Sequence, residues 1–222
     1  MDAEDGECST GIVVLATDAR VRLRRNRRRA RFHGKTRLWQ ALDAALASPC
    51  RPVIVVLGAR DAILRDEIAT TNEPGRLKVV VNWAWQEGVS SSIRQGLTAL
   101  EASPREVDSA IFMRTWLAPP PGAIKRLLAG RERARDRPVV ASRYEACSGL
   151  PALFDRRLFP ELMRLRGGES LARIIRRYES KGRATYGSRR DEDAGFQGRL
   201  YPPLRHVRGH ELGGSARSAA AR

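Results

Sequence analysis

Apolar positions along this chain fall into two alternating kinds of run. Short blocks rich in β-branched residues occur at 11–16, 52–58, 77–83, 108–113 and 137–142. Between them, apolar residues recur at helical spacing over 36–48, 60–69, 90–101, 121–130, 155–165 and 169–180. The first kind predicts strands and the second helices with one buried face. Blocks such as Pro52-Val53-Ile54-Val55-Val56-Leu57-Gly58 are continuous rather than alternating, so these strands are expected to be covered on both faces. The order predicts βαβ units and an α/β fold with a mainly parallel sheet between two layers of helices. Residues 1–9 read as a disordered leader, 10–202 as one domain and 203–222 as a disordered tail of Gly, Ser, Ala and Arg. The stretch 184–200 allows one last short strand and a turn.

Composition narrows the class. With 222 residues, 42% of them hydrophobic, the chain can bury one sizeable core. Its apolar runs are strand-sized, which excludes a transmembrane helix, and the acidic first residues do not form a signal peptide. Cys8, Cys50 and Cys147 are odd in number and far apart, which argues against a disulfide framework and for a reducing compartment. A soluble cytoplasmic protein is expected.

Charge adds a partner. The formal net charge is +16, and eight of the twelve positions from Arg20 to Arg31 are arginine. They directly follow the first predicted strand, whose exit loop in an α/β protein usually faces the ligand. Arginine suits bidentate phosphate contacts, so the cluster predicts a nucleotide, a nucleic acid, an acidic protein or an anionic membrane surface. Genomic drift toward arginine accounts equally well for the dispersed arginines.

Three further segments stand out. From Asn82 to Gly96 a strand runs through Trp83, Trp85 and Gly88 into Ser90-Ser91-Ser92 at a helix start. Serines there read either as an ordinary cap or as part of an anion site at the helix N-terminus. Ser148-Gly149-Leu150-Pro151-Ala152-Leu153-Phe154-Asp155 reads as a turn fixed by Pro151 before an apolar edge segment. Gly168-Glu169-Ser170-Leu171-Ala172-Arg173 reads as a helix start with an acid in its first turn.

In this order and spacing the pieces resemble the MobA-like nucleotidyltransferases, closest to the CTP:molybdopterin cytidylyltransferase group. Leu15 to Arg27 fits the length of the family's L-A-A-G-x-S-x-R-M-G-x-x-K loop, and Leu42-Asp43-Ala44-Ala45-Leu46 is similar to its D-A-A-L helix end. Asn82 to Gly96 resembles N-x-x-W-x-x-G-M-S-S-S-L-x-x-G, and Gly149 to Phe154 resembles G-x-P-A-L-F. The resemblance implies a three-layer α/β/α sandwich with a Rossmann-like sheet, of the nucleotide-diphospho-sugar transferase type. It also implies transfer of a nucleotidyl group, CMP foremost, from an NTP (CTP or GTP) to a phosphorylated acceptor such as molybdopterin, with Mg²⁺. By the same resemblance Arg22 and Arg27 contact phosphates. Leu15, Ala16, Asn82, Gly88, Ser90, Ser91 and Ser92 bind nucleotide, and Gly149 and Pro151 bind the second substrate.

Departures from the pattern point to impaired or absent catalysis. Asp18 and Arg24 replace the two loop glycines, where a side chain blocks close backbone approach to phosphate. Arg114 stands at the family's metal-binding aspartate and cannot ligate Mg²⁺, whose ligands are oxygens. Asp191 and Asp193 remain as metal candidates, or as a solvated acidic turn. A catalytically inactive pseudoenzyme, binding nucleotide, nucleic acid or an acidic protein through Arg20–Arg31, is the competing expectation. His206 and His210 have metal-site spacing but no third ligand nearby, and neither a P-loop nor a G-x-G-x-x-G turn follows any strand.

Overall fold

The computed structural model describes residues 8–17, 36–58, 65, 68, 75–115, 119–143 and 148–186. Among the described residues seven strands form one sheet: β1 (Thr10–Leu15), β2 (Val53–Gly58), β3 (Leu77–Asn82), β4 (Ser109–Arg114), β5 (Val139–Arg143), β6 (Ser148–Asp155) and β7 (Ala184–Tyr186), in the order β3-β2-β1-β4-β6-β5-β7. The helices are α1 (Arg37–Leu46), α2 (Val89–Glu101), α3 (Ala123–Arg133), α4 (Phe159–Met163) and α5 (Leu171–Ser180). Arg65 and Ile68 are helical too, within the run expected at 60–69.

Strands β1 and β2 are buried at every residue, as their unbroken apolar blocks demand. The pleat sends Val13 and Leu15 to one face, into an apolar cluster with Ile93, Leu97 and Leu100 of α2 that extends under β5 and β6 to Ile174 and Ile175 of α5. Ile12 and Val14 turn to the other face, into a cluster with Leu38, Ala41 and Leu42 of α1 that also takes in Ile124 and Leu127 of α3. The result is the expected three-layer α/β/α sandwich. Helix α2 lies unusually close to the sheet: a Cβ on Gly96 would come within 2.4 Å of a Val13 methyl.

The sheet departs from expectation at β6. Read from sequence as a turn and an edge segment, residues 148–155 form a central strand antiparallel to both β4 and β5. Ala152, Leu153 and Phe154 are fully buried there, and the Phe154 ring meets Phe112 edge-on at 5.7 Å. Proline is excluded from regular central strands because it lacks an N–H. Pro151 is tolerated because the β5–β6 register shifts between Ala141 and Ser142, and the Ser142 hydroxyl donates to the Pro151 carbonyl at 2.7 Å. The helix expected from 155 begins instead with a 3₁₀ turn, Arg156–Leu158, before α4. Of the last expected strand, Ala184–Tyr186 pairs parallel with β5.

Asp155 ends β6 and anchors α3. Its Oδ2 accepts from Arg131 at 2.6 Å, while Oδ1 accepts from the Arg157 side chain and backbone N–H, each at 2.9 Å. Burial pushes its pKa up, but the bonds from Arg157 and Arg131 outweigh it and hold the carboxylate below its ordinary value.

Candidate functional site

Chain connectivity locates the crevice. From β1 the chain steps to β2 and β3 on one side, then crosses back to β4 on the other. Ligands of open α/β sheets bind where the strand order reverses, outside the carboxyl ends of the strands. Here that point lies between β1 and β4, whose last residues, Leu15 and Arg114, are register partners. Leu15 and Ala16 are almost fully buried, and Arg114 is half-buried.

The same edge gathers the serine element. At the end of β3, Asn82 donates one amide hydrogen to Ser91 Oγ and the other to Ser92 Oγ, both at 2.9 Å, and its Oδ1 accepts from the Ala84 N–H at 3.0 Å. Both amide hydrogens of Asn82 and its carbonyl oxygen are therefore engaged. Ser92 in turn shares a hydrogen bond with Thr17, the residue after Ala16. The Ser91 hydroxyl faces the carbonyls of Gly88 at 2.8 Å and Ala84 at 3.0 Å. Ser90 donates to the carbonyl of Gly167 at 2.7 Å. Arg94, one turn along α2, donates to the Leu165 carbonyl at 2.6 Å and pairs with Glu87 at 2.7 Å.

These bonds correct two sequence readings. No serine caps α2: Gly88 is the N-cap residue, at φ 111, and Ser90, Ser91 and Ser92 follow inside the first turn. Their hydroxyls are buried and bonded to three different parts of the chain, the loop before α5, the turn after β3 and the exit of β1. Nor does Glu169 lie in the first turn of α5. It precedes the Ser170 N-cap, accepts from the Arg166 N–H at 2.9 Å and pairs with Arg173.

Gly149 and Pro151 reach the same edge. Because β6 runs antiparallel to β4, its first residues lie beside the last residues of β4, past the Phe112–Ala152 pair. The fold thus brings Leu15, Ala16, Asn82, Gly88, the three serines, Arg114, Gly149 and Pro151 to one end of the sheet. Thr17 joins them without having been singled out from sequence; its signal was a hydroxyl where the first-loop pattern has alanine. Asp18, Arg22, Arg24, Arg27, Asp191 and Asp193 lie outside the described residues. Trp83 stands on the turn after Asn82, 75% exposed.

A family model for the MobA-like NTP transferase domain matches residues 12–182. The chain belongs to this family. The MobA-like fold also relates it to solved structures, all at identities that speak to the fold alone. Rv0371c from Mycobacterium tuberculosis H37Rv is 24% identical over 81% of this chain and 87% of its own, with a TM-score of 0.62. The structure of Rv0371c complexed with manganese gives 22%, 80%, 85% and 0.56. A nucleotidyl transferase from Methanothermobacter thermautotrophicus gives 17%, 81%, 88% and 0.61. Molybdopterin-guanine dinucleotide biosynthesis protein A from Archaeoglobus fulgidus gives 13%, 79%, 82% and 0.54. No curated protein matches the chain.

Against the Mg²⁺ expected of a MobA-like enzyme, the described residues offer a poor donor set. They contain no group of three or more His, Cys, Asp or Glu able to hold a metal ion, and the β4 end of the crevice carries a guanidinium. Among the described residues no helix is long and apolar enough to cross a membrane.

Proposed function

We propose that this chain binds a nucleoside triphosphate, CTP before GTP, at the carboxyl ends of β1 and β4 and transfers its nucleotidyl group slowly to a phosphorylated acceptor such as molybdopterin. An acceptor phosphate oxygen attacks the α-phosphorus, and pyrophosphate leaves with the electrons of the bond it loses. No protein nucleophile is needed; the protein positions the reactants and holds their charge. The observation that carries this reading is the Asn82–Ser92–Thr17 chain of hydrogen bonds. It fixes the exit of β1, the end of β3 and the start of α2 against one another at the switch point, which is the framework a nucleotide site needs.

Slow transfer follows from Arg114. A guanidinium where the family pattern has an aspartate recruits no divalent cation, so Arg114, Arg22 and Arg27 hold the phosphate charge in this reading. Manganese in Rv0371c supports divalent metal use among similar folds. In this chain Asp191 and Asp193 are the remaining residues proposed for it, and Gly149 and Pro151 are assigned to the acceptor side.

Arg114 also favours a second reading, a nucleotide-binding pseudoenzyme without transfer. Calorimetric titration of CTP and GTP into the purified protein, with and without Mg²⁺, followed by a turnover assay with molybdopterin, tests both. Micromolar CTP binding with slow pyrophosphate release supports transfer. Binding without release supports the pseudoenzyme. Absence of binding overturns both, and Arg20–Arg31 then becomes a surface for nucleic acid or an acidic protein, with steeply salt-dependent affinity.

A further inference from the structure

At the opposite, amino-terminal edge of the sheet, two cysteines separated by 42 positions meet, their sulfurs 3.9 Å apart. Cys8 leads into β1 and Cys50 precedes β2. The strand starts hold both in place. Asp108 N–H donates to the Ser9 carbonyl at 2.7 Å, Arg51 N–H to the Thr10 carbonyl at 3.0 Å, and Ile12 N–H to the Pro52 carbonyl at 2.9 Å. Cys50 N–H donates to Ser48 Oγ at 3.3 Å. A disulfide is roughly 2 Å long, so the sulfurs need close by only about 2 Å, within reach of side-chain rotation.

The two thiols are not equivalent. Cys50 is fully buried, whereas Cys8 keeps a solvent-facing side. We propose that Cys8 is a peroxide-reactive site and that Cys50 resolves it, closing a reversible disulfide. The Cys8 thiolate attacks a hydroperoxide oxygen, giving Cys8 sulfenic acid and, from hydrogen peroxide, hydroxide. The Cys50 sulfur then displaces hydroxide from the sulfenic sulfur, forming the S–S bond. In sum, two thiols and one hydrogen peroxide give one disulfide and two waters. The hydrogen bond from Cys50 lowers the Cys8 pKa to about 6 against the effect of burial, with help from Thr10 and Arg105. The hydrogen bond to Cys8 and burial push Cys50 up, which keeps it protonated until the attack.

The covalent ring would enclose β1, the arginine-rich segment and α1, so oxidation restricts the unfolded chain over the loop that leaves the candidate site. The test uses the full chain carrying Cys147→Ser, treated with stoichiometric hydrogen peroxide, quenched with catalase, denatured and labelled with maleimide. The expected result is a mass loss of two hydrogens, no maleimide on either cysteine, and a Cys8–Cys50 linked peptide that dithiothreitol releases. Thermal unfolding should shift upward by about 5–10 °C on oxidation. Adding Cys50→Ser should leave Cys8 as a sulfenic acid trapped by dimedone. Adding Cys8→Ser instead should leave Cys50 reduced at the same peroxide dose, an arm that holds even if Cys50→Ser folds poorly. Dimedone-labelled Cys8 beside reduced Cys50 in the two-cysteine protein would overturn the proposal. So would intermolecular dimers through Cys8, or two unreacted thiols.

Discussion

Asn82 donates to the hydroxyl of Ser92 at 2.9 Å across ten positions of chain, and both side chains are completely buried. The bond ties the end of β3 to the first turn of α2, and the Ser92–Thr17 hydrogen bond, in which either hydroxyl can donate, carries the connection on to the exit of β1.

Replacing Asn82 therefore damages more than one contact. Asn82→Asp keeps the acceptor for Ala84 N–H but removes both donors and buries a charge. It is expected to destabilise the protein by about 2–4 kcal/mol, read from urea unfolding. Thr17→Val preserves shape but removes the hydroxyl partner of buried Ser92, at about 1–3 kcal/mol. Both variants should weaken CTP binding. Equal stability for Asn82→Asp and the parent would refute the network.

Gly88 and Gly167 face each other where the turn before α2 meets the loop before α5. A Cβ on Gly88 would sit 2.5 Å from the Gly167 oxygen, and its φ of 111 is foreign to L-residues. Gly167 is left-handed at φ 52, but its Cβ position is open, with nothing within 4 Å. Gly88→Ala should cost about 2–4 kcal/mol through strain and the displaced Ser90–Gly167 bond. Gly167→Asn should cost no more than about 1 kcal/mol, since Asn tolerates the left-handed region. Thermal unfolding of the two variants distinguishes a steric clash from mere loss of chain freedom.

The same pair shows what sequence pattern reveals. Unbroken apolar blocks announced β1 and β2 because burial on both faces leaves no polar alternation. The glycines at 88 and 96 stood out as motif positions, and the fold supplies their reasons: the Gly167 carbonyl and the Val13 methyl leave no room for a Cβ. Strand β6 escaped because Pro151 marks a break in any local reading, and only the shifted pairing with β5 admits it. The serines read either as a cap or as part of an anion site because helix starts favour hydroxyls, yet their hydrogen-bond partners lie up to 77 positions away. For the same reason Cys8 and Cys50 read as unrelated: distance along the chain says nothing of distance across neighbouring strand starts.

Asp155 makes stability depend on acid. Its folded pKa lies below the unfolded value of about 3.9, so the stabilisation is fully present above that pH and is lost as pH falls through the folded value. Arg157 is pushed up by the same pair and stays charged throughout. The Arg157 side chain is 57% exposed and solvent screens its share, which leaves the Arg157 N–H and the less exposed Arg131 as the steadier partners. Asp155→Asn should cost about 2–3 kcal/mol at neutral pH and much less near pH 2, giving a shallower acid limb in Tm against pH. An acid limb unchanged by the substitution would place the responsible carboxylate elsewhere.

Arg114 offers the sharpest test of the crevice. If phosphates sit between β1 and β4, the parent binds CTP through guanidinium groups and gains little from Mg²⁺. Arg114→Asp reverses the local charge at the register partner of Leu15. Without Mg²⁺ the variant should bind CTP about 10–100-fold more weakly, the worth of one charge-assisted contact. With Mg²⁺, the new carboxylate supplies an oxygen ligand of the kind that ion requires, and affinity should recover. Calorimetry with and without the ion reads the inversion directly, with circular dichroism confirming that the variant is folded. A folded variant that binds CTP like the parent in both conditions would move the phosphates away from β4 and leave Arg114 as a structural residue.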